Sequence, residues 1–232
     1  MKSVSLVLLP GLDGTGRLFD PLIRQLPKWI NPVVVSYPKD QPYGYLDLMK
    51  IVSKSLPEDT DFAILGESFS GPLSIMIASQ RPKKLIGLIL CATFVKNPFR
   101  FLPSWASYFS VSPIYLLWPA TIKLRAVLSK GKYGELVQMA LKAIKSVKPK
   151  VISARVKAIF NVNVEHDLVK INVPVLYMRS RKDYLIKKHN VETIKRLKRE
   201  MEVIDIDTHH FLLQMEPEKS AEEITKFIKT IS

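Results

Sequence analysis

Apolar residues run along this chain in short blocks, separated by segments whose apolar positions recur every three or four residues. The blocks are Val4–Leu9, Val33–Tyr37, Phe62–Leu65, Leu85–Ala92, Val173–Met178 and Glu202–Ile206. Each has the length of a strand, and the near-continuous apolar runs among them suit strands covered on both faces. Helical spacing falls within Arg17–Leu26, near Tyr45–Leu56, over Phe69–Gln80, near Lys187–Lys198 and over Ser220–Ile231. Strands alternating with helices specify a parallel sheet with helices on both faces. The expected class is therefore α/β, a doubly wound, mostly parallel sheet of about six strands.

The rhythm stops after Lys96 and resumes at Val173. Residues 96–165, rich in Leu, Ala, Lys and Ile, are expected to form a helical cap inserted into a core made of residues 1–95 and 166–232. Eight aromatics lie between Phe94 and Trp118: Phe94, Phe99, Phe101, Trp105, Tyr108, Phe109, Tyr115 and Trp118. They fit the core of such a cap or the wall of an apolar pocket, and both can hold at once.

A length of 232 residues with 47% apolar content fits one globular domain with an insertion. The longest apolar runs stop well short of a membrane span, so no transmembrane helix is expected. The N-terminal run into Pro10-Gly11 reads as the first strand rather than a signal peptide. One cysteine, Cys91, excludes an intramolecular disulfide and a multi-cysteine zinc site, and its place in an apolar run makes it a buried thiol. A reducing, cytoplasmic setting is the simplest expectation.

The formal net charge of +14 is concentrated in the expected cap, where the basic residues from Lys96 to Lys157, Arg100, Lys123, Arg125 and Arg155 among them, face Glu135 alone. This segment is either simply hydrated or draws the protein weakly to an anionic membrane or an acyl-carrier conjugate. No nucleic-acid motif accompanies the charge, so no nucleic-acid partner is expected.

Chemistry enters at Gly66-Glu67-Ser68-Phe69-Ser70-Gly71, between a strand block and a helical segment. A serine at such a corner is lifted clear of the sheet with a helix N-terminus beneath it. Gly66 and Ser70 keep the turn free of bulk, Ser70 standing where Gly-x-Ser-x-Gly has its second glycine. A serine needs a base, and His209 and His210 follow the last strand block directly. Asp183 follows the Val173–Met178 block, and a carboxylate there can orient the imidazole. Ser68, Asp183 and the histidine pair thus all sit at strand exits on the edge where parallel sheets bind ligands. Glu67 is expected merely to flank the turn, and Asp167 to be structural or solvent-facing.

In these residues the chain resembles the α/β-hydrolase superfamily over nearly its whole length, in the order Ser, Asp, His and in the loop Thr208-His209-His210-Phe211-Leu212. The resemblance implies an α/β-hydrolase fold with a Ser68-His210-Asp183 triad, because the family's histidine directly precedes an aromatic or apolar residue. His209 becomes a local loop residue or part of the entrance. It also implies that Pro10-Gly11-Leu12-Asp13-Gly14-Thr15-Gly16 is the oxyanion loop, with the backbone N–H groups of Leu12 and Phe69 as donors. Pro10 stands where the family often has His, which leaves both main-chain donors in place.

A dinucleotide site is the rival reading of the same loop. Its glycines run Gly-x-x-Gly-x-Gly rather than Gly-x-Gly-x-x-Gly, and no acidic residue ends the next strand. Neither a cofactor nor a metal is expected. The implied activity is that of a carboxylesterase- or lipase-like serine hydrolase acting on apolar ester or thioester substrates. The same triad serves acyltransferases, perhydrolases and carbon–carbon hydrolases, and a non-enzymatic ligand-binding member of the fold is the alternative outside catalysis.

Overall fold

The computed structural model describes residues 3–98 and 132–232. Six strands form one sheet: β1 (Val4–Leu9), β2 (Ile30–Val34), β3 (Phe62–Glu67), β4 (Leu85–Cys91), β5 (Val175–Ser180) and β6 (Glu202–Ile206). Their order is β2-β1-β3-β4-β5-β6, and every neighbouring pair is parallel. Side chains alternate between the two faces, as the pleat requires. Leu6 and Leu8 of β1, Ala63 and Leu65 of β3 and Leu176 and Met178 of β5 enter one apolar core. Val7 and Leu9, Phe62 and Ile64, and Val175 and Tyr177 enter the other. That double burial is why these strands read as almost unbroken apolar runs.

Helices cover both cores. Among the described residues the α-helices are α1 (Asp20–Ile23), α2 (Tyr45–Ser53), α3 (Ser70–Ser79), α4 (Lys132–Lys145), α5 (Pro149–Asn161), α6 (Glu165–Val169), α7 (Lys188–Leu197), α8 (Leu212–Met215) and α9 (Pro217–Ile231). Helix α3 is buried almost all round, including Leu73, Ser74, Ile75 and Ile77, because it lies between the sheet and α2 and α6. A helix in that position needs no polar face.

The second strand departs from expectation. Its pairing covers Ile30–Val34 rather than Val33–Tyr37, so Pro32 falls inside it opposite Leu6. Proline cannot donate to a ladder, but β2 is at the edge of the sheet, where one side of the strand has no neighbour. Past the strand, Val35 N–H still reaches Leu8 O at 3.1 Å, and Tyr37 N–H reaches Gly14 O at 2.7 Å. Beyond the ladder, the apolar Val35 and Tyr37 are buried in the same core as Val7 and Leu9.

Between β4 and β5 the chain leaves and returns at one point. Val164 N–H bonds Val95 O at 2.8 Å, and Lys96 forms an antiparallel bridge with Asn163. Helices α4 and α5 belong to the excursion so bounded. Of the eight aromatics noted above, Phe94 is buried, and the other seven lie outside the described residues. Arg100, Lys123, Arg125 and Lys130 also lie outside them. Lys96 is paired with Glu165 at 2.7 Å at the surface, whereas Arg155 is 1% exposed and does not belong to a hydrated basic face.

Candidate active site

Ser68 follows β3 directly and has φ +50°, the left-handed region that a side chain rarely adopts. The strain is held by its neighbours. Ser68 N–H bonds Cys91 O at 2.9 Å, and Ser68 O accepts from Gly71 N–H at 3.1 Å and from the Thr93 hydroxyl. Gly66 is required: a Cβ there would lie 2.4 Å from Ser74 Oγ and 2.7 Å from the Ser70 carbonyl oxygen. The turn delivers the serine hydroxyl above the start of α3.

His210 lies between β6 and α8 and bridges the two other residues singled out above. Its Nδ1–H donates to Asp183 Oδ2 at 2.7 Å, and its Nε2 lies 2.9 Å from Ser68 Oγ. With the Nδ1 proton committed to the carboxylate, Nε2 is left to accept from the serine hydroxyl. Asp183 is fixed in turn, because its Oδ1 accepts from Leu185 N–H at 2.8 Å and Ile186 N–H at 3.0 Å. Its side chain is 2% exposed and that of His210 13%.

Charge follows from this geometry. Burial lowers the affinity of His210 for a proton, but the Asp183 charge and hydrogen bond, with Glu67 adding to them, outweigh it and hold the imidazole above its ordinary range. Burial pushes Asp183 up, yet His210 and the two backbone donors bring it below the usual carboxylate range. The pair therefore favours an ionised carboxylate and a basic imidazole. His209 takes no part in the bridge: its Nδ1 bonds Lys182 O at 3.3 Å, and its ring stacks on Tyr184.

The loop after β1 passes beside the serine, and a Cβ on Gly11 would lie 4.0 Å from Ser68 Cβ. Leu12 and Phe69 both line the cavity over Ser68. Ser70 fills the place of the expected second glycine with a purpose. Its hydroxyl donates to Pro10 O and accepts from the Tyr37 hydroxyl at 2.6 Å, so it fastens the loop to the elbow. Tyr45 steadies Phe69 by stacking on its ring and donating to its carbonyl at 2.9 Å.

Two residues were not legible as part of the site. Glu67, expected only to flank the turn, is 6% exposed and borders the cavity. Burial pushes its carboxyl up to about 7, against the opposing pull of the Gln214 amide, which donates to it at 2.9 Å. Arg155, on α5, donates to Leu12 O at 2.9 Å, Asp13 O at 2.8 Å and Pro38 O at 3.0 Å. Its signal was its place on the apolar stripe Val151, Ile152, Arg155, Val156, Ile159. Asp167, by contrast, is paired with Lys170 at 3.4 Å at the surface.

The cavity has a volume of about 180 Å³ and is strongly apolar. Val137 and Ile144 of α4, Val156, Ile159 and Phe160 of α5, and Phe94 form much of its wall. Asp207 turns away to Lys182 at 2.9 Å, and among the described residues no three His, Cys, Asp or Glu side chains converge as metal ligands. No helix among the described residues is long and apolar enough to cross a membrane.

A six-stranded parallel sheet with a strained serine elbow after β3 defines the α/β-hydrolase fold, and the chain has that fold. Solved structures share it over almost their full length. The esterase EaEST from Exiguobacterium antarcticum superposes with a TM-score of 0.81 at 16% identity, covering 98% of this chain and 92% of that one. A carboxylesterase structure from Nitrososphaera gargenis gives 0.79 at 17% identity, with 99% and 91% covered. The enol-lactonase from Burkholderia xenovorans LB400 gives 0.78 at 16% identity, with 99% and 92% covered. The sequence matches no family model and no curated protein, so the likeness is one of fold.

Proposed function

We propose that the protein is a serine hydrolase that cleaves carboxylic esters or thioesters of apolar acyl groups. The observation that carries this reading is the bridge from Ser68 through His210 to Asp183 at 2.9 and 2.7 Å. His210 Nε2 takes the Ser68 proton as Oγ attacks the carbonyl, and Asp183 stabilises the imidazolium so formed. The N–H groups of Leu12 and Phe69 receive the oxyanion, each lowering the barrier by roughly 3–4 kcal/mol. His210 then hands its proton to the leaving group, and a water activated by the same nitrogen releases the acyl group from Ser68.

The esterase and carboxylesterase among the structural neighbours make this the natural first chemistry to test. A serine nucleophile sets it apart from the carboxylate-nucleophile branch of the fold. The apolar wall from α4 and α5 suits an acyl chain, which fits the reading of residues 96–165 as a cap over the site. Ser68→Ala is expected to lose p-nitrophenyl ester hydrolysis by more than about 10³-fold while folding like the parent. A variant as fast as the parent would remove the proposal.

A further inference from the structure

We propose that Arg155 is a positioning residue for the oxyanion donors, tying the wall of the acyl cavity to the loop that carries the Leu12 N–H. This rests on the functional reading above and adds to it a residue that touches neither substrate nor the reacting atoms. Arg155 is the largest fully buried side chain among the described residues, and it meets Asp13 through the main-chain carbonyl, with the Asp13 charge acting on it from nearby. Its guanidinium is spent on three main-chain carbonyls of two loops, Leu12 O, Asp13 O and Pro38 O, and stands 5.5 Å from the centroid of the Tyr37 ring. Its Nε has no partner among the described residues.

Burying a guanidinium is costly to the folded state relative to an apolar side chain of its size, and the nearby Asp13 charge offsets that cost only in part. What it supplies is geometry. An arginine fork can hold adjacent carbonyls at fixed angles, and two of the three belong to Leu12 and Asp13. The peptide plane after Leu12 is thereby fixed. The plane before it, which joins Gly11 O to the Leu12 N–H, is held by the Gly14 N–H on Gly11 O at 3.0 Å, and the Ser70 hydroxyl on Pro10 O holds the plane before that.

The fit leaves no slack on the loop side. Gly14 has φ +67°, and a Cβ there would lie 2.5 Å from Arg155 Nη1. The Leu12 side chain packs on Val147, Val151 and Ile152 where α5 begins. Next to Arg155 on the same helix, Val156, Ile159 and Phe160 line the cavity. An acyl group seated on that wall therefore rests on the helix that holds the oxyanion loop, and Arg155 is the link between them.

The test compares Arg155→Lys, Arg155→Met and Gly14→Ala with the parent, and with Ile224→Ala, a core variant on α9 as a stability-matched control. The measurements are kcat and KM on a p-nitrophenyl acyl ester, and the affinities of an alkyl trifluoromethyl ketone and of the matching alkanol. The ketone adds to Ser68 and places an oxyanion in the hole, whereas the alkanol only fills the cavity. For Arg155→Lys we expect kcat and ketone affinity to fall together by about 10- to 100-fold, with KM and alkanol affinity within about threefold. Arg155→Met should behave alike, and Ile224→Ala should keep the parent's kcat.

A folded Arg155→Lys with the parent's kcat overturns the proposal, as does a parallel loss of ketone and alkanol affinity or an equal loss in Ile224→Ala. If Arg155→Lys does not fold, Gly14→Ala decides by the same criteria. A parent that hydrolyses no ester and forms no ketone adduct overturns the functional reading instead. Amide hydrogen exchange of residues 11–16 then tests the clamp alone: exchange must quicken in Gly14→Ala or an Arg155 variant, and unchanged exchange overturns it.

Discussion

Glu67→Gln should stabilise the protein, and by an amount that depends on pH. The Glu67 carboxyl is buried beneath the serine elbow, and burial pushes it up to about 7 from an ordinary 4.5. Below about pH 4.5 both the folded and the unfolded chain hold its proton, so the group makes no difference. Between about 4.5 and 7 the unfolded chain has released the proton and the folded chain still holds it, so stability falls as pH rises. Above 7 both are ionised and the full penalty is present, about 3 kcal/mol at the usual conversion of 1.4 kcal/mol per tenfold.

Glutamine has the same shape, can accept the Gln214 amide at Oε1, and carries no such penalty. The local structure accommodates either charge on the parent carboxyl. Gln214 Nε2 donates to a carboxylate, and Gln214 Oε1, buried without a partner among the described residues, can accept from the neutral acid if the amide turns. The assay is urea unfolding of both proteins at about pH 5, 6, 7 and 8. The advantage of the variant should grow from about 1 kcal/mol at pH 5 to about 3 kcal/mol at pH 8. A difference that is flat with pH, or that shrinks as pH rises, refutes the reasoning.

The same carboxyl reaches the chemistry. His210 must be unprotonated to act as base, and its hold on the proton is raised, so the acid limb of kcat/KM should lie above the ordinary histidine value of about 6.5. Because Glu67 contributes to that rise, Glu67→Gln should move the limb to lower pH; a limb that stays or moves up contradicts the assignment. Gly66→Ala places a methyl against Ser74 Oγ and the Ser70 carbonyl, so it should cost about 2–3 kcal/mol and lower kcat, read by unfolding and by ester turnover. Asp183→Asn should fold normally and lose about 10³- to 10⁴-fold in kcat, since an amide no longer fixes the imidazole tautomer or stabilises its charged form.

Much of this architecture is written locally. The first and last strands carry unbroken or clearly bounded apolar runs, and their limits, Val4–Leu9 and Glu202–Ile206, are those of the folded sheet. Ser68, Asp183 and His210 could be singled out because each follows a strand, and a parallel sheet brings all strand exits to one edge. The misplaced β2 shows the opposite case. Val33–Tyr37 is the more apolar stretch, but pairing with β1 begins at Ile30, and the edge position excuses Pro32. Glu67 and Arg155 depend on contacts far along the chain, with Gln214 and with Leu12, that no local pattern contains. In composition Arg155 looks like any other cation of a basic segment, and only its register with Val151 and Ile159 sets it apart. Ser70 was visible as a departure from the glycine pattern, whereas its role in holding Pro10 needed the fold.

Labelling with a fluorophosphonate, followed by mass spectrometry of the peptides, tests the central claim most directly. A nucleophilic serine activated by His210 and served by the oxyanion donors should take up one phosphonyl group, on Ser68, at a rate that drops by more than about 10²-fold in His210→Ala. A parent that remains unlabelled under these conditions, or labelling at another residue, would contradict the account.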